Sequence, residues 1–246
     1  MKNIKSAFTL AEVLIAVAIV GVVAALTIPN LNKNINEDKY IALMKATMGQ
    51  LDVAVAKVVS EYGSLYNASQ SCGDGSTASI TCFGQVLASY LDTKKICSSD
   101  DKSCFSEESL KDLKGNVVDQ DRENASFSCV YRFILSNGVS VCMRAVQDVI
   151  TYKNYKGRID IDVDGPNAGP NIRAVDNFDF IVSDDGVGYY TGEDAGTDYY
   201  NKYINRGIDR AFYFNYDSVA WAFLNGNMDY LRCADQLKWH SKKTCD

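Results

Sequence analysis

Lys5-Ser6-Ala7-Phe8-Thr9-Leu10-Ala11-Glu12-Val13-Leu14-Ile15 opens a run that carries no further charge as far as Ile28 and Pro29. From Phe8 to Ile28 there are 21 residues and a single charge, Glu12. As a helix rising ~1.5 Å per residue this run covers roughly 30 Å, the hydrocarbon thickness of a bilayer, so its length predicts a membrane helix. Its leading edge is unusual. Glu12 stands one turn inside the apolar end, where an ionisable group costs about 2.5 kcal/mol or more and implies a partner. Only seven residues precede Phe8, with Lys2 and Lys5 as the basic and therefore cytoplasmic flank.

A secretory signal is cut after its apolar region, at small residues; here the chain passes from the apolar run through Thr27-Ile28-Pro29-Asn30 into polar sequence. The small residue placed for a cut is Ala7, before the run. Cleavage there keeps the helix on the mature protein and sets the new amine of Phe8 close to Glu12. Amine and carboxylate can then neutralise each other, within a subunit or between neighbours, which lowers the cost of Glu12 in an assembled bundle and leaves it high in a lone subunit.

These residues resemble the N-terminal cleavage and methylation motif of type IV pilins and type II secretion pseudopilins. The family pattern is a short basic leader, a small residue at the cut, Phe, Thr-Leu, and Glu as the fifth residue of the mature chain. An apolar helix with a Gly and a Pro in its second half follows. Here these are Ala7, Phe8, Thr9-Leu10, Glu12, Gly21 and Pro29; Gly is usual at the cut and Ala7 stands in its place. The resemblance implies a prepilin peptidase that cuts before Phe8, N-methylation of Phe8, and assembly with copies of itself or other pilin-like subunits through the N-terminal helix. It also implies an inner-membrane assembly platform and a single-pass location in a bacterial inner membrane, N-terminus cytoplasmic and head outside, before entry into a pilus or pseudopilus. The other reading of the same stretch is an uncleaved anchor on a non-polymerising extracytoplasmic binding protein or enzyme.

Beyond Pro29 helical periodicity resumes. Ile41, Met44, Met48, Leu51, Val55, Val58 and Tyr62 recur at spacings of three and four, one face of a helix, with Lys39, Lys45, Gln50, Asp52 and Lys57 mostly off it. A coiled-coil seam has this pattern; packing of the stripe on the chain's own globular part is the simpler account. Asn30 to Asp38 is the weak point, because Pro29 removes a backbone donor and crowds the preceding turn. The chain then divides into a leader at 1–7, a membrane and assembly helix at 8–29, its amphipathic continuation at 30–62, and a head at 63–246.

From Gly63 to Gly115 Gly, Ser, Asp and Cys rise, and short helices are expected near Gln85 to Leu91 and Glu107 to Leu113. Phe127 to Leu135 and Val139 to Val146 flank Asn137-Gly138, a hairpin signal because both residues accept positive φ. Arg158 to Val163, Asn177 to Ile181, Ala211 to Phe214 and Val219 to Leu224 are further strand candidates, and Asn227 to Cys233 reads as a last strand. The expected fold class is α+β, a long N-terminal helix packed on an antiparallel sheet, as in pilin heads.

Eight cysteines, Cys72, Cys82, Cys97, Cys104, Cys129, Cys142, Cys233 and Cys245, all lie beyond the apolar helix. An even number confined to the exported part reads as disulfides formed in an oxidising compartment. Short loops favour Cys72–Cys82, Cys97–Cys104 and Cys233–Cys245. Cys129 and Cys142 remain, but a turn at Asn137-Gly138 sets Cys142 opposite about Phe133 and Cys129 opposite about Val146, too far apart for a bond. Either the turn lies elsewhere or both pair with the Cys97/Cys104 region. With no CxxC spacing and one His, zinc is not expected.

Asp160-Ile161-Asp162-Val163-Asp164-Gly165 matches the first half of a calcium loop, in which carboxylates on alternate residues converge on one cation. The position that should carry a bidentate Glu is Asn171. The competing account is a strand with Ile159, Ile161 and Val163 inward and Asp160, Asp162 and Asp164 outward, ended by an Asp-Gly turn. The segment from Asp162 through Pro166-Asn167, with Asp176-Asn177-Phe178 after it, also resembles a recurring element of pilin-like proteins. Asp184 to Asp198 reads as an acidic, solvated loop.

A formal charge of −6, taken to −8 if Lys2 and Lys5 leave with the leader, argues against nucleic acid as a direct partner. No nucleophile elbow, zinc-protease or P-loop spacing is present, and the one histidine, His240, sits in a basic tail. The expectation is a structural subunit without a catalytic site, with no cofactor other than calcium in play.

Overall fold

The computed structural model describes residues 10–71, 77–97, 101–117, 129–144, 157–189, 216–238 and 241–245, without the side chains of 23–35, 77–80, 102 and 216–217. The chain divides into two units, Met1–Lys39 and Tyr40–Asp246. Helix α1 runs Leu10–Tyr62, so Pro29 does not end it. The expected strand at Ala211 to Phe214 lies outside the described residues, as do Ala7, Phe8, Cys72 and His240.

In the second unit, the stripe predicted on α1 is the buried one. Ile41, Met44, Leu51, Val55 and Val58 lie in the main hydrophobic core, and Met48 and Tyr62 pack partly buried against it. Each such side chain removed from water contributes about 1.5–3 kcal/mol. The core's other wall is a six-stranded antiparallel sheet in sequential order. Its strands are β1 (Thr93–Cys97), β2 (Cys129–Leu135), β3 (Ser140–Arg144), β4 (Gly157–Asp162), β5 (Asn177–Ser183) and β6 (Gly186–Gly188). Tyr131, Phe133, Val141, Met143, Ile159, Ile161, Phe178 and Phe180 send their side chains into the same core. The α+β architecture is pilin-like: an N-terminal helix, then an antiparallel sheet.

Smaller helices close the core. α2 (Leu65–Gln70) starts at Ser64, whose hydroxyl accepts from Asn67 N. α3 (Thr77–Ser89) packs on β2, with Gly84 so near Tyr131 that an added Cβ would stand 2.6 Å from the ring. α4 (Tyr216–Asn225) and α5 (Tyr230–Cys233) follow the sheet in sequence.

Four expectations are corrected. Val219 to Leu224 is part of α4, not a strand: Val219, Ala220, Trp221 and Ala222 are all buried, so no alternation of any period shows in the sequence. Asn227 to Cys233 ends in α5 instead of forming a last strand, with Asp229 accepting from Cys245 N at 2.7 Å. Glu107 to Leu113 is not helical; Lys111 N donates to Asn171 O at 3.0 Å and Arg173 N to Lys111 O at 2.9 Å, so this backbone pairs with a distant loop. Thr93–Cys97, inside the stretch read as loop and helix, is an edge strand with Lys94, Lys95 and Ile96 outward.

The fifth correction concerns Cys129 and Cys142, which do form a disulfide, with Cα atoms 5.5 Å apart. The β2–β3 loop is Ser136-Asn137-Gly138, not Asn137-Gly138 alone, and the extra residue moves the register by one position. Leu135 N donates to Val139 O and Gly138 N to Leu135 O, both at 2.9 Å, with Gly138 at φ 91. Cys142 therefore faces Arg132, and a bulge between Cys129 and Tyr131 sets Cys129 opposite Arg144. Cys97–Cys104 and Cys233–Cys245 form as their short loops favour, and no described cysteine is free.

Candidate functional site

Of the residues expected from the sequence to serve assembly, Glu12, Gly21 and Pro29 all lie on α1. Leu10, Val13, Leu14, Ile15, Val17 and Val20 are between 48% and 78% exposed. An apolar surface of that extent marks lipid or protein contact. Among the described residues no helix is long and apolar enough to cross a membrane; Phe8 and the side chains of 23–35 fall outside that description, so it covers only part of the expected span. Glu12 lies in the first described turn of α1. At Gly21 an added Cβ would meet nothing within 4 Å, so this glycine leaves a bare strip of backbone on the exposed rod.

A second constellation lies in the head where β4 runs into the loop before β5. The side chains of Asp160, Asp162 and Asp164 do not act as one set. Asp160 is buried and ion-paired with Arg144, their side chains 9% and 5% exposed. Asp162, 1% exposed, takes a hydrogen bond on Oδ1 from Gly165 N at 3.2 Å. Asp164 takes one on Oδ2 from the Tyr40 hydroxyl of α1 at 2.8 Å. Asp176, which sequence reasoning did not single out as a site residue, is fully buried beside them. Its carboxylate accepts from Asn171 N at 2.6 Å and Ile172 N at 2.7 Å, which holds Asn171 at φ 57. The signal for it was present in the Asp176-Asn177-Phe178 element, but not its role.

The electrostatics follow from burial and like charge. Burial first, then the facing Asp164 carboxyl and the charges of Asp176 and Asp164, push the Asp162 carboxyl up to about 8. Burial raises Asp176 as well, against the pull of its backbone donors. Tyr40 is also raised, by burial first and then by its bond to Asp164. Among the described residues no group of three or more His, Cys, Asp or Glu is placed to hold a metal ion. The other acidic run begins as a structural turn: Asp184 Oδ1 accepts from Leu65 N at 2.8 Å, and across from it Asp52 of α1 accepts from Val187 N at 3.0 Å.

An α+β chain whose N-terminal helix is followed by an antiparallel sheet has the architecture of a pilin-like subunit. Residues 2–28 match the prokaryotic N-terminal methylation motif. The chain carries a prepilin-type motif of the type IV pilin and pseudopilin kind, and this marks it as a prepilin-like substrate of prepilin peptidase with an N-terminus suited to membrane anchoring. No curated protein and no solved structure matches the chain.

Proposed function

We propose that the protein is a structural subunit, cut between Ala7 and Phe8, N-methylated on Phe8 and assembled through its apolar helix into a type IV pilus or a type II secretion pseudopilus. The observation that carries this reading is the methylation motif at residues 2–28 on a helix whose apolar side chains are exposed. In the membrane the exposed residues face lipid; in the assembly they face sister helices. Glu12 is neutralised there by a Phe8 amine, its own or a neighbour's, so the acid favours the assembled over the solitary state. Gly21 and Pro29 allow close helix approach and local bending. The disulfide-bonded head is displayed outside, and the subunit works by packing, not by catalysis. Subunits of its own kind or other pilin-like subunits are its partners, with the peptidase and the inner-membrane platform acting before assembly.

N-terminal sequencing of membrane-extracted protein tests the processing step. A methylated Phe8 at the start is the expected result; a chain that still begins at Met1 in cells with active peptidase overturns it and favours a non-polymerising membrane-anchored protein. For the assembly step, Glu12→Ala is expected to lower filament yield at least tenfold while head disulfides still form. Unchanged yield would remove the charge-neutralisation mechanism.

A further inference from the structure

One face of the sheet lines the main core. On the other, β1 to β3 and the turn after β1 build a small separate cluster of Cys97, Cys104, Phe105, Ile134 and Cys142, with Cys129 packed against it. Its two disulfides differ in access. Cys97 and Cys104 are both buried, whereas in the Cys129–Cys142 bond only Cys142 is buried and Cys129 is half-buried. A thiol arriving from solvent therefore meets Cys129 Sγ first.

Charge favours the same bond. In the β2–β3 register Cys142 stands opposite Arg132 and Cys129 opposite Arg144, and side chains directly opposite share a face with Cβ atoms about 4.5–5.5 Å apart. Each sulfur thus has a guanidinium as its cross-strand neighbour. Asp160, opposite Cys142 on β4, is held by Arg144, and Asp179 by Arg158. Asp101 acts on Arg132 and is bridged by Lys95 at 3.2 Å. Among the described residues, four cations face three carboxylates around the bond, an excess of one positive charge. Burial disfavours the charged form of Arg132, so an anion formed beside it is stabilised. Cys233–Cys245 is the contrast. Cys245 is also half-buried, but Arg232 and Asp229 pair there without excess, and Cys245 Sγ lies 3.4 Å from Asp229 O.

We propose that Cys129–Cys142 is a thiol–disulfide exchange site, opened by an external dithiol while Cys97–Cys104 and Cys233–Cys245 stay closed. A thiolate of the dithiol attacks Cys129 Sγ, the bond to Cys142 breaks, and Cys142 leaves as a thiolate beside Arg132. The second thiol then attacks the mixed disulfide and releases Cys129. The protein bond takes up two electrons, the dithiol closes to its own disulfide, and its two protons end on Cys129 and Cys142. Opening unties β2 from β3 beside the bulge before Tyr131. No step depends on assembly of the apolar helix.

The oxidised full chain in detergent, with dithiothreitol as the probe at pH 7, tests the site. Free thiols are alkylated at intervals and mapped by peptide mass. Cys129 and Cys142 are expected to be labelled together, about tenfold faster than Cys97, Cys104, Cys233 and Cys245. Arg132→Gln should slow that labelling by about threefold or more and leave Cys233 and Cys245 unchanged. Another pair opening first or at the same rate overturns the proposal, as does an unchanged rate in Arg132→Gln. Should that variant fail to fold, alkylation of the opened wild-type pair is followed against pH. A midpoint below the ordinary thiol value of about 8.5 supports the site, and one at or above it overturns it.

Discussion

Arg144 and Asp160 are diagonal neighbours on adjacent strands, Arg144 opposite Arg158 and Asp160 opposite Cys142, and both are buried. A guanidinium and a carboxylate withdrawn from water are each unfavourable alone and tolerable as a pair. Arg144→Ala should therefore cost about 3–5 kcal/mol, because it leaves Asp160 charged and buried. The double variant Arg144→Ala/Asp160→Ala should cost less than the single one, and urea unfolding of the two together distinguishes a charge effect from a packing effect. In α1, Leu51 is fully buried and its neighbours Asp52 and Val53 face outward. Leu51→Ala should lose about 2–5 kcal/mol of stability, as a cavity in a closed core does, whereas Val53→Ala at an exposed position should stay within about 0.5 kcal/mol. Denaturant midpoints measure both.

The elements depend on close approaches that a sequence does not announce. Gly84 lets α3 lie directly on the ring of Tyr131, so Gly84→Ala is expected to push helix and strand apart and destabilise by about 1–3 kcal/mol, despite the better helix propensity of alanine. An increase in thermal stability would show that the contact yields. The C-terminal segment is held by Cys233–Cys245 across a separation of 12 residues, and by Asp229, which accepts from Cys245 N. Replacing both cysteines by alanine should cost about 2–4 kcal/mol. Amide exchange should quicken at α5 and residues 241–245 before it does in the sheet. The Asn-Gly signal located the β2–β3 hairpin correctly. It did not locate the register, which the hydrogen bonds of Leu135 and Val139 and the bulge before Tyr131 set together.

At the scale of the molecule, the two units have opposite surfaces. Residues 10–22 are exposed and predominantly apolar, while the Tyr40–Asp246 unit closes its own core with a helix face, a sheet and disulfides. A chain starting at residue 30 should be soluble without detergent, monomeric by light scattering and cooperative in unfolding. The full chain should need detergent. A truncated chain that aggregates or unfolds without cooperativity would show that the head does not fold without the apolar rod.

Several features follow from local pattern alone. Helix α1 and its buried stripe were legible because a period of 3.6 residues sustained over many turns fits a helix and no strand. The motif at residues 2–28 was legible because an acid inside an apolar run is costly enough to require a partner. Strands β2 to β5 showed as runs of β-branched and aromatic residues broken by turns. The identity of α4 was decided only in three dimensions, since Trp221 and its neighbours are buried on all sides and such a run fits a strand or a helix equally. The same holds for the Cys129–Cys142 bond, the pairing of Lys111 with the Asn171 loop, and the separation of Asp160 from Asp162 and Asp164. Lys111 pairs with a loop about sixty residues away, while the disulfide and the Arg144–Asp160 pair depend on the exact register of adjacent strands, so which thiol or carboxylate is satisfied is set by the fold and not by local pattern.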